Sequence, residues 1–164
     1  MVPLADSLTP RRWGPRIPDL AVLVVLGGIV TAIAVPGINR FLRSLDLNRQ
    51  VQQEATVFRV ARQRAISDNN PVIVYWSPER RGFGWWDDDN DNSARDSREE
   101  GQEPATLPGW IVVVPSSVNP FPSDSLRFAP DGSASASGSL TFTNSDGYAR
   151  SLSVVRPTGM VTVQ

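Results

Sequence analysis

The chain has 164 residues, a formal net charge of −1, no histidine and no cysteine, and all 16 basic residues are arginines. These absences exclude a Ser–His–Asp triad, a cysteine nucleophile, a lysine Schiff base, disulfides and any Cys/His zinc site. A near-neutral charge gives no general attraction to nucleic acid, whereas carboxylate chemistry and oxygen-ligand metal sites stay open.

An uncharged apolar run covers residues 20–38, after a polar start that carries three arginines. As a helix the run spans about 28 Å, close to the hydrocarbon thickness of a bilayer. It predicts either a retained transmembrane helix or the apolar part of a cleaved secretory signal peptide, since Ala32-Ile33-Ala34 matches an A-x-A cleavage pattern. A buried core helix is less expected, because a single small domain rarely hides an all-apolar helix.

The next segment, 39–68, predicts an amphipathic helix. Apolar side chains recur there every three or four positions, with charged and amide side chains such as Glu54 between them. The apolar stripe consists of Ile38, Phe41, Leu42, Leu45, Val51, Ala55, Phe58, Ala61, Ala65 and Ile66. Turn-forming residues before Pro71 end the helix.

From Pro71 onward the residues predict about seven short, mostly antiparallel strands. The predicted strands are Val72–Trp76, Phe83–Trp86, Trp110–Val114, Ser125–Ala129, Leu140–Thr143, Tyr148–Val155 and Met160–Val163. Residues 87–109 are predicted to form a polar, acidic loop. The low-complexity residues 133–139 are predicted to form a mobile loop. The fold class is therefore α+β, with a long N-terminal helix packed on a small β domain.

Three passages carry a family resemblance: 14–36, 61–72 and 156–161. The first contains Gly14-Pro15 before an apolar helix and Ala32-Ile33-Ala34-Val35-Pro36 near its end. It resembles the prepilin signature and the A-I-A-V-P at which that helix leaves the membrane in type IV pilin-like proteins. The other two passages, together with the acidic loop, resemble the GspH/FimT family of minor pseudopilins.

The resemblance implies a pilin-like division of the chain. The parts would be a prepilin-type leader, 1–14, a transmembrane helix segment, 15–38, an amphipathic helix, 39–68, and a periplasmic β domain, 71–164, with its acidic loop at 87–109. It also implies a non-enzymatic, single-pass protein of the bacterial inner membrane that joins other pseudopilins or pilins in a type II secretion or type IV pilus-like filament. Secreted cargo is a further partner that the resemblance suggests.

The processing and assembly residues follow from the same resemblance. Cleavage would fall between Gly14 and Pro15, followed by N-methylation, although the family has phenylalanine where Pro15 stands. Asp19 replaces the family glutamate, and Pro36 marks the end of the membrane half. Asp19 either pairs with a neighbouring subunit's N-terminal amine or caps the start of the helix, and both interpretations stay open.

The acidic loop contains a candidate Ca²⁺ site. Its oxygen-bearing side chains have the spacing of positions 1, 3, 5, 9 and 12 of a Ca²⁺ loop: Asp88, Asn90, Asn92, Asp96 and Glu99. Ser93 stands where such loops have glycine, so the alternative is a solvated acidic turn. No other cofactor is expected.

Two other functions compete with the pseudopilin interpretation. One is a signal-peptide-bearing secreted β-domain protein, Ca²⁺-binding through the acidic loop. The other is a DNA-uptake minor pilin that would use a basic patch: Arg59, Arg62, Arg64, Arg80 and Arg81. Nucleic acid is the less expected partner, because Asp68, Glu79 and the acidic loop would repel phosphate.

Overall fold

The computed structural model describes residues 17–115 and 125–164. Within these ranges lie one helix, α1 (Ile17–Ser67), and eight strands. The strands are β1 (Val72–Ser77), β2 (Gly82–Asp87), β3 (Gly101–Gln102), β4 (Ile111–Pro115), β5 (Ser125–Phe128), β6 (Gly138–Asn144), β7 (Ala149–Val155) and β8 (Met160–Val163). The chain divides into two compact units, Met1–Asn39 and Arg40–Gln164.

The first unit contains the start of α1 at Ile17. The apolar side chains described there face outward, with Val24 74% and Leu23 64% exposed. Within the described residues, no helix is both long enough and apolar enough to cross a membrane. The transmembrane segment predicted for 15–38 therefore stays a prediction.

Four predicted sites in this unit have no side-chain description. Gly14 and Pro15 lie outside the described residues. Asp19 and Pro36 both lie within α1, but their side chains also fall outside what the structure describes. The processing and assembly sites thus stay predictions.

The second unit packs the last part of α1 with two four-stranded antiparallel sheets. The first sheet has the strand order β3-β2-β1-β5 and the second β4-β6-β7-β8. Short links join β1 to β2, β6 to β7 and β7 to β8, as antiparallel neighbours allow, whereas β1 pairs with β5 and β4 with β6 across longer separations in sequence. The α+β class is thereby confirmed. Six of the predicted strands agree with the structure to within two residues at each end, and the seventh, Met160–Val163, has the predicted bounds.

One hydrophobic core joins the helix to both sheets. The helix contributes Leu47, Val51, Ala55, Val57, Phe58, Ala61 and Ala65. Strand β6 shows how the sheets contribute, because its residues alternate between buried and half-buried along its whole length. That period of two sends Leu140 and Phe142 into the core and leaves Thr141 and Thr143 on the outer face.

The second unit differs from the expectations in three details. Of the predicted apolar stripe, Val51, Ala55, Phe58, Ala61 and Ala65 are buried, whereas Phe41, Leu42 and Ile66 are 61%, 50% and 39% exposed. Strand β3 lies inside the predicted loop 87–109. A two-residue strand is too short to leave a recognisable alternation in sequence.

The segment 133–139 also differs from the mobile loop that its composition predicts. Ala134 is buried and its amide donates to the Arg156 carbonyl at 2.9 Å. The Ser135 amide donates to the Arg127 carbonyl at 2.8 Å, and Gly138 begins β6. Small side chains allow this close packing, so low complexity here reflects tight contact between segments.

Strand β4 forms one edge of the second sheet, and that edge is partly closed. The Arg81 guanidinium donates to the Ile111 carbonyl, and the Ile111 amide donates to Pro108. The strand ends at Pro115, which has no amide hydrogen. Few backbone groups of β4 therefore stay available to pair with another strand.

Candidate functional site

A buried carboxyl group connects the helix to the first sheet. Glu54 lies in the buried face of α1, 2% exposed, and its Oε2 accepts the amide of Phe83 in β2 at 3.0 Å. Burial raises the pKa of Glu54 to about 7, because the charged form loses its hydration, and the hydrogen bond from Phe83 opposes this only in part. The sequence suggested a solvent-facing Glu54, so this contact was missed.

A pattern in the sequence could have identified Glu54. It lies three residues after Val51 and four before Phe58, which places it inside the apolar stripe rather than opposite it. A carboxyl group in such a position must find a buried partner, and the buried backbone amide of Phe83 near the start of β2 supplies one.

A cluster of charges surrounds Arg64 at the end of α1. Its guanidinium donates to Glu100 Oε1 at 2.7 Å, and lies 3.3 Å from Asp68 and 3.4 Å from Asp87. The arginine also stands over the Trp85 ring, 5.1 Å from its centroid. The hydrogen bond to Glu100 chiefly raises the pKa of Arg64 above its ordinary range.

Asp87 is the buried member of this cluster. Burial raises its pKa above the ordinary range, and Arg64 acts in the opposite direction. Its Oδ1 atom is buried without a hydrogen-bond partner among the described residues. The cluster connects the acidic loop to the helix, because Asp87 and Glu100 stand at the two ends of the segment between β2 and β3.

The acidic loop lies over the outer face of the first sheet. Asp91 forms an ion pair with Arg127 of β5. Ser93 lines a small cavity together with Ile73 and Trp86, two side chains that point away from the main core yet are 7% and 5% exposed. The loop therefore covers a second, smaller apolar cluster.

A second ion pair holds the middle of the loop. Arg95 donates to Glu103 at 2.6 Å and to the Tyr75 hydroxyl at 3.3 Å. The hydrogen bond from Arg95 lowers the pKa of Glu103, whereas burial raises that of Tyr75. These contacts connect the loop to β1 by charge rather than by apolar packing.

The five candidate Ca²⁺ ligands are all hydrogen-bonded within the loop itself. Both oxygens of Asp88 accept from the Ser93 amide, and its Oδ1 also accepts from Asn92 at 2.9 Å. Asp96 accepts from Asn90 at 2.7 Å, and Glu99 accepts from the Asp96 amide at 2.7 Å. The oxygens of Asn90 and Asn92 likewise accept backbone amides.

Amide groups thus engage at least one oxygen of each candidate ligand, whereas Glu99 Oε1 is buried without a hydrogen-bond partner among the described residues. Asp91 and Ser93 have positive φ values of 55° and 59°, which turn the neighbouring amides toward Asp88. Across the described parts of the chain, no group of three or more acidic side chains is arranged to hold a metal ion. Ca²⁺ binding stays a prediction, and the solvated-turn alternative accounts for the hydrogen bonds seen.

Most arginines of the predicted basic patch form hydrogen bonds or ion pairs within the β domain and helix α1. Arg62 donates through Nε to the carbonyls of Gly132 and Thr158, at 3.0 and 2.9 Å. Arg80 donates to Pro104. Arg64 and Arg81 are engaged as described above, so four of the five guanidinium groups hold the domain together rather than form an open phosphate-binding surface.

The tryptophans of the β domain serve packing. Trp85 lies in the main core, and Trp76 and Trp110 pack against it. Trp86 is covered by the acidic loop. None of these rings forms an open aromatic surface.

Comparisons with known proteins place this architecture in a family. Residues 50–159, more than half of the chain, match the family model described as "Type II transport protein GspH". No curated protein sequence matches the chain significantly.

Two solved structures share the fold. The type IV minor pilin FimU of Pseudomonas aeruginosa is similar with a TM-score of 0.55 and 14% identity, over 76% of this chain and 92% of that one. The minor pseudopilin EpsH from the Type 2 Secretion System of Vibrio cholerae has a TM-score of 0.52 and 12% identity, over 71% and 94%. At these identities the likeness concerns the fold.

Proposed function

This chain belongs to the GspH family of type II transport proteins, and we propose that it acts as a minor pseudopilin, a structural subunit of a type II secretion or type IV pilus-like filament. The family match over residues 50–159 carries this proposal. The pilin-like fold supports it, because FimU and EpsH are minor subunits of such systems by their descriptions. Assembly of this kind requires no catalysis from the chain.

We propose in addition that the first unit anchors the protein in the inner membrane and then packs beside the helices of other pseudopilins or pilins. The uncharged run 20–38 supports the anchor. So does the outward orientation of Leu23, Val24 and Val30, each at least 64% exposed, because apolar side chains at that density are stable only in lipid or against other helices. The β domain would then lie in the periplasm, within reach of secreted cargo.

Processing and pairing complete the proposal. Cleavage after Gly14 would leave Pro15 as the N-terminal residue, with a secondary amine available for methylation. Asp19 would lie four residues further on, either paired with a neighbour's N-terminal amine or capping α1. An ionisable group at that depth is costly unless it has a partner, which supports the pairing.

The test combines fractionation of native cells with mass spectrometry of the intact protein. We expect the wild-type chain in the membrane fraction, resistant to carbonate extraction, beginning at Pro15. A Val24→Arg variant should lose membrane retention, because an arginine near the middle of a spanning helix costs about 2.5–3.5 kcal/mol. Gln53→Arg, at an exposed position of α1 in the second unit, is the matched control and should be retained.

Two results would contradict the proposal. A soluble chain beginning near Val35 would mean signal-peptide cleavage and a secreted β-domain protein. An intact leader on a membrane-bound chain would mean an anchored protein that has lost processing, and incorporation into a filament would then fail.

A further inference from the structure

Among the described residues, no charged side chain lies on the outer face of the second sheet. Cross-strand pairing places eleven residues on this face, at alternate positions of the four strands. They are Val112 and Val114 of β4, Ser139, Thr141 and Thr143 of β6, Ala149, Ser151, Ser153 and Val155 of β7, and Met160 and Thr162 of β8. We name this set the uncharged face.

The composition of the uncharged face is unusual for a surface in water. Roughly a quarter to a third of surface residues in a soluble domain are charged, so about three charges are expected among eleven positions. The apolar members are well exposed, with Val112 53%, Val114 49% and Met160 56% accessible. Elsewhere in the same unit the surface is strongly charged, above all on the acidic loop that covers the first sheet.

The side chains of the uncharged face are also short. Val114, Thr141 and Ser151 form one row across three strands, and Ser139 lies opposite Ser153 with a hydroxyl–hydroxyl hydrogen bond of 3.2 Å. Short branched and hydroxyl-bearing side chains leave a flat surface with little conformational entropy to lose on contact. A flat surface without charge is suited to protein, and it offers no positive charge to phosphate or to anionic lipid.

We propose that the uncharged face is the contact through which this subunit meets a different pilin-like subunit of the same assembly. Four strands about 4.8 Å apart and about 20 Å long present roughly 400 Å². Stable complexes bury about 800 Å² on each partner. The face alone is therefore too small to hold a partner that diffuses freely, but it is large enough for a neighbour that helix packing already keeps close. Because helix packing belongs to the proposed function, the inference depends on that function.

The geometry of filaments favours a different subunit over a second copy. Open helical assemblies grow through heterologous contacts, in which one patch meets another patch of its neighbour. Two copies that met through this same face would close a two-fold dimer, which cannot extend a filament, so a second copy would have to offer a matching uncharged patch elsewhere. The outer face of its first sheet is covered by the charged loop instead, through the Asp91–Arg127 and Arg95–Glu103 pairs.

The experiment uses the full chain in its native cells and places a photo-crosslinking residue at Thr141, or at Ser97 of the acidic loop as the exposed control. We expect Thr141 to crosslink to a different pilin-like subunit, identified by mass spectrometry, at a yield at least tenfold above that from Ser97. Crosslinks from Thr141 to a second copy or to lipid, or equal yields from the two positions, would overturn the proposal.

Charge insertion provides a second measurement. Thr141→Asp should reduce the co-isolated pilin-like subunits at least tenfold, whereas Thr141→Val and Ser97→Asp should leave them unchanged. Circular dichroism melting identifies any variant that fails to fold, and Thr162→Asp on β8 then replaces it. If wild-type protein isolates no pilin-like subunit, the proposed function itself fails; if wild-type and Thr141→Asp isolate it equally, only the uncharged-face proposal fails.

Discussion

Replacing Glu54 by glutamine should change how the stability of the protein depends on pH. The folded state holds this carboxyl group with a pKa of about 7, against an ordinary value of 4.5. Between these two values the folded protein keeps a proton that the unfolded chain releases. Stability therefore falls as pH rises from about 4.5 to about 7, and it is level outside that window as far as this group is concerned.

The size of the effect follows from the pKa difference. A shift of one unit corresponds to about 1.4 kcal/mol, so the full change amounts to about 3 kcal/mol. Glu54→Gln keeps an oxygen that can accept the Phe83 amide but cannot ionise. We expect the variant to match wild type near pH 4.5 and to exceed it by about 3 kcal/mol above pH 8.

The assay is chemical unfolding of the full chain in detergent between pH 4.5 and 8.5, followed by tryptophan fluorescence. The difference between wild type and Glu54→Gln cancels the other titrating groups. Glu54→Ala serves as the control, because it leaves the Phe83 amide buried without an acceptor and should be destabilised at every pH. Parallel pH profiles for wild type and Glu54→Gln would refute the reasoning.

Three further predictions concern the β domain. Gly159→Ala should lower stability by at least about 2 kcal/mol in urea unfolding, because φ there is +58° and a Cβ would meet the Gly132 carbonyl; an unchanged midpoint would contradict this. Asp91→Asn removes a partly exposed pair with Arg127 and should cost at most about 1 kcal/mol, a difference in melting that disappears in 1 M salt. If the Ca²⁺ prediction holds, Ca²⁺ at 100 times its Kd should stabilise wild type by about 2.7 kcal/mol and leave Asp88→Asn unchanged, and identical melting with and without Ca²⁺ would end that prediction.

Local patterns were enough to predict most of the secondary structure. The end of α1 at Ser67 follows from turn-forming residues ahead of Pro71, and β8 follows from the turn at Thr158-Gly159. Both signals act over a few residues, so the sequence itself contains them. The family resemblance added the expected division of the chain, and the GspH match over residues 50–159 confirms the family itself.

Features set by contacts between distant segments could not be predicted in the same way. The exposure of Phe41 and Leu42 depends on where the sheets end, and the spacing of apolar residues along a helix carries no information about that. The loop that carries Asp88 has the spacing of a Ca²⁺ loop, yet positive φ at Asp91 and Ser93 turns backbone amides onto the same oxygens. A spacing rule describes side chains and carries no information about where the amides point.

The partly closed edge of β4 affects how a subunit behaves before it meets its partners. An open edge strand beside exposed valines would be a template for pairing with the strands of any unfolded or unassembled chain. Because Arg81 binds the Ile111 carbonyl and the strand ends in proline, a solitary domain offers only a short template along this edge. We therefore expect subunits that await assembly to aggregate less readily through this strand than through a fully open edge.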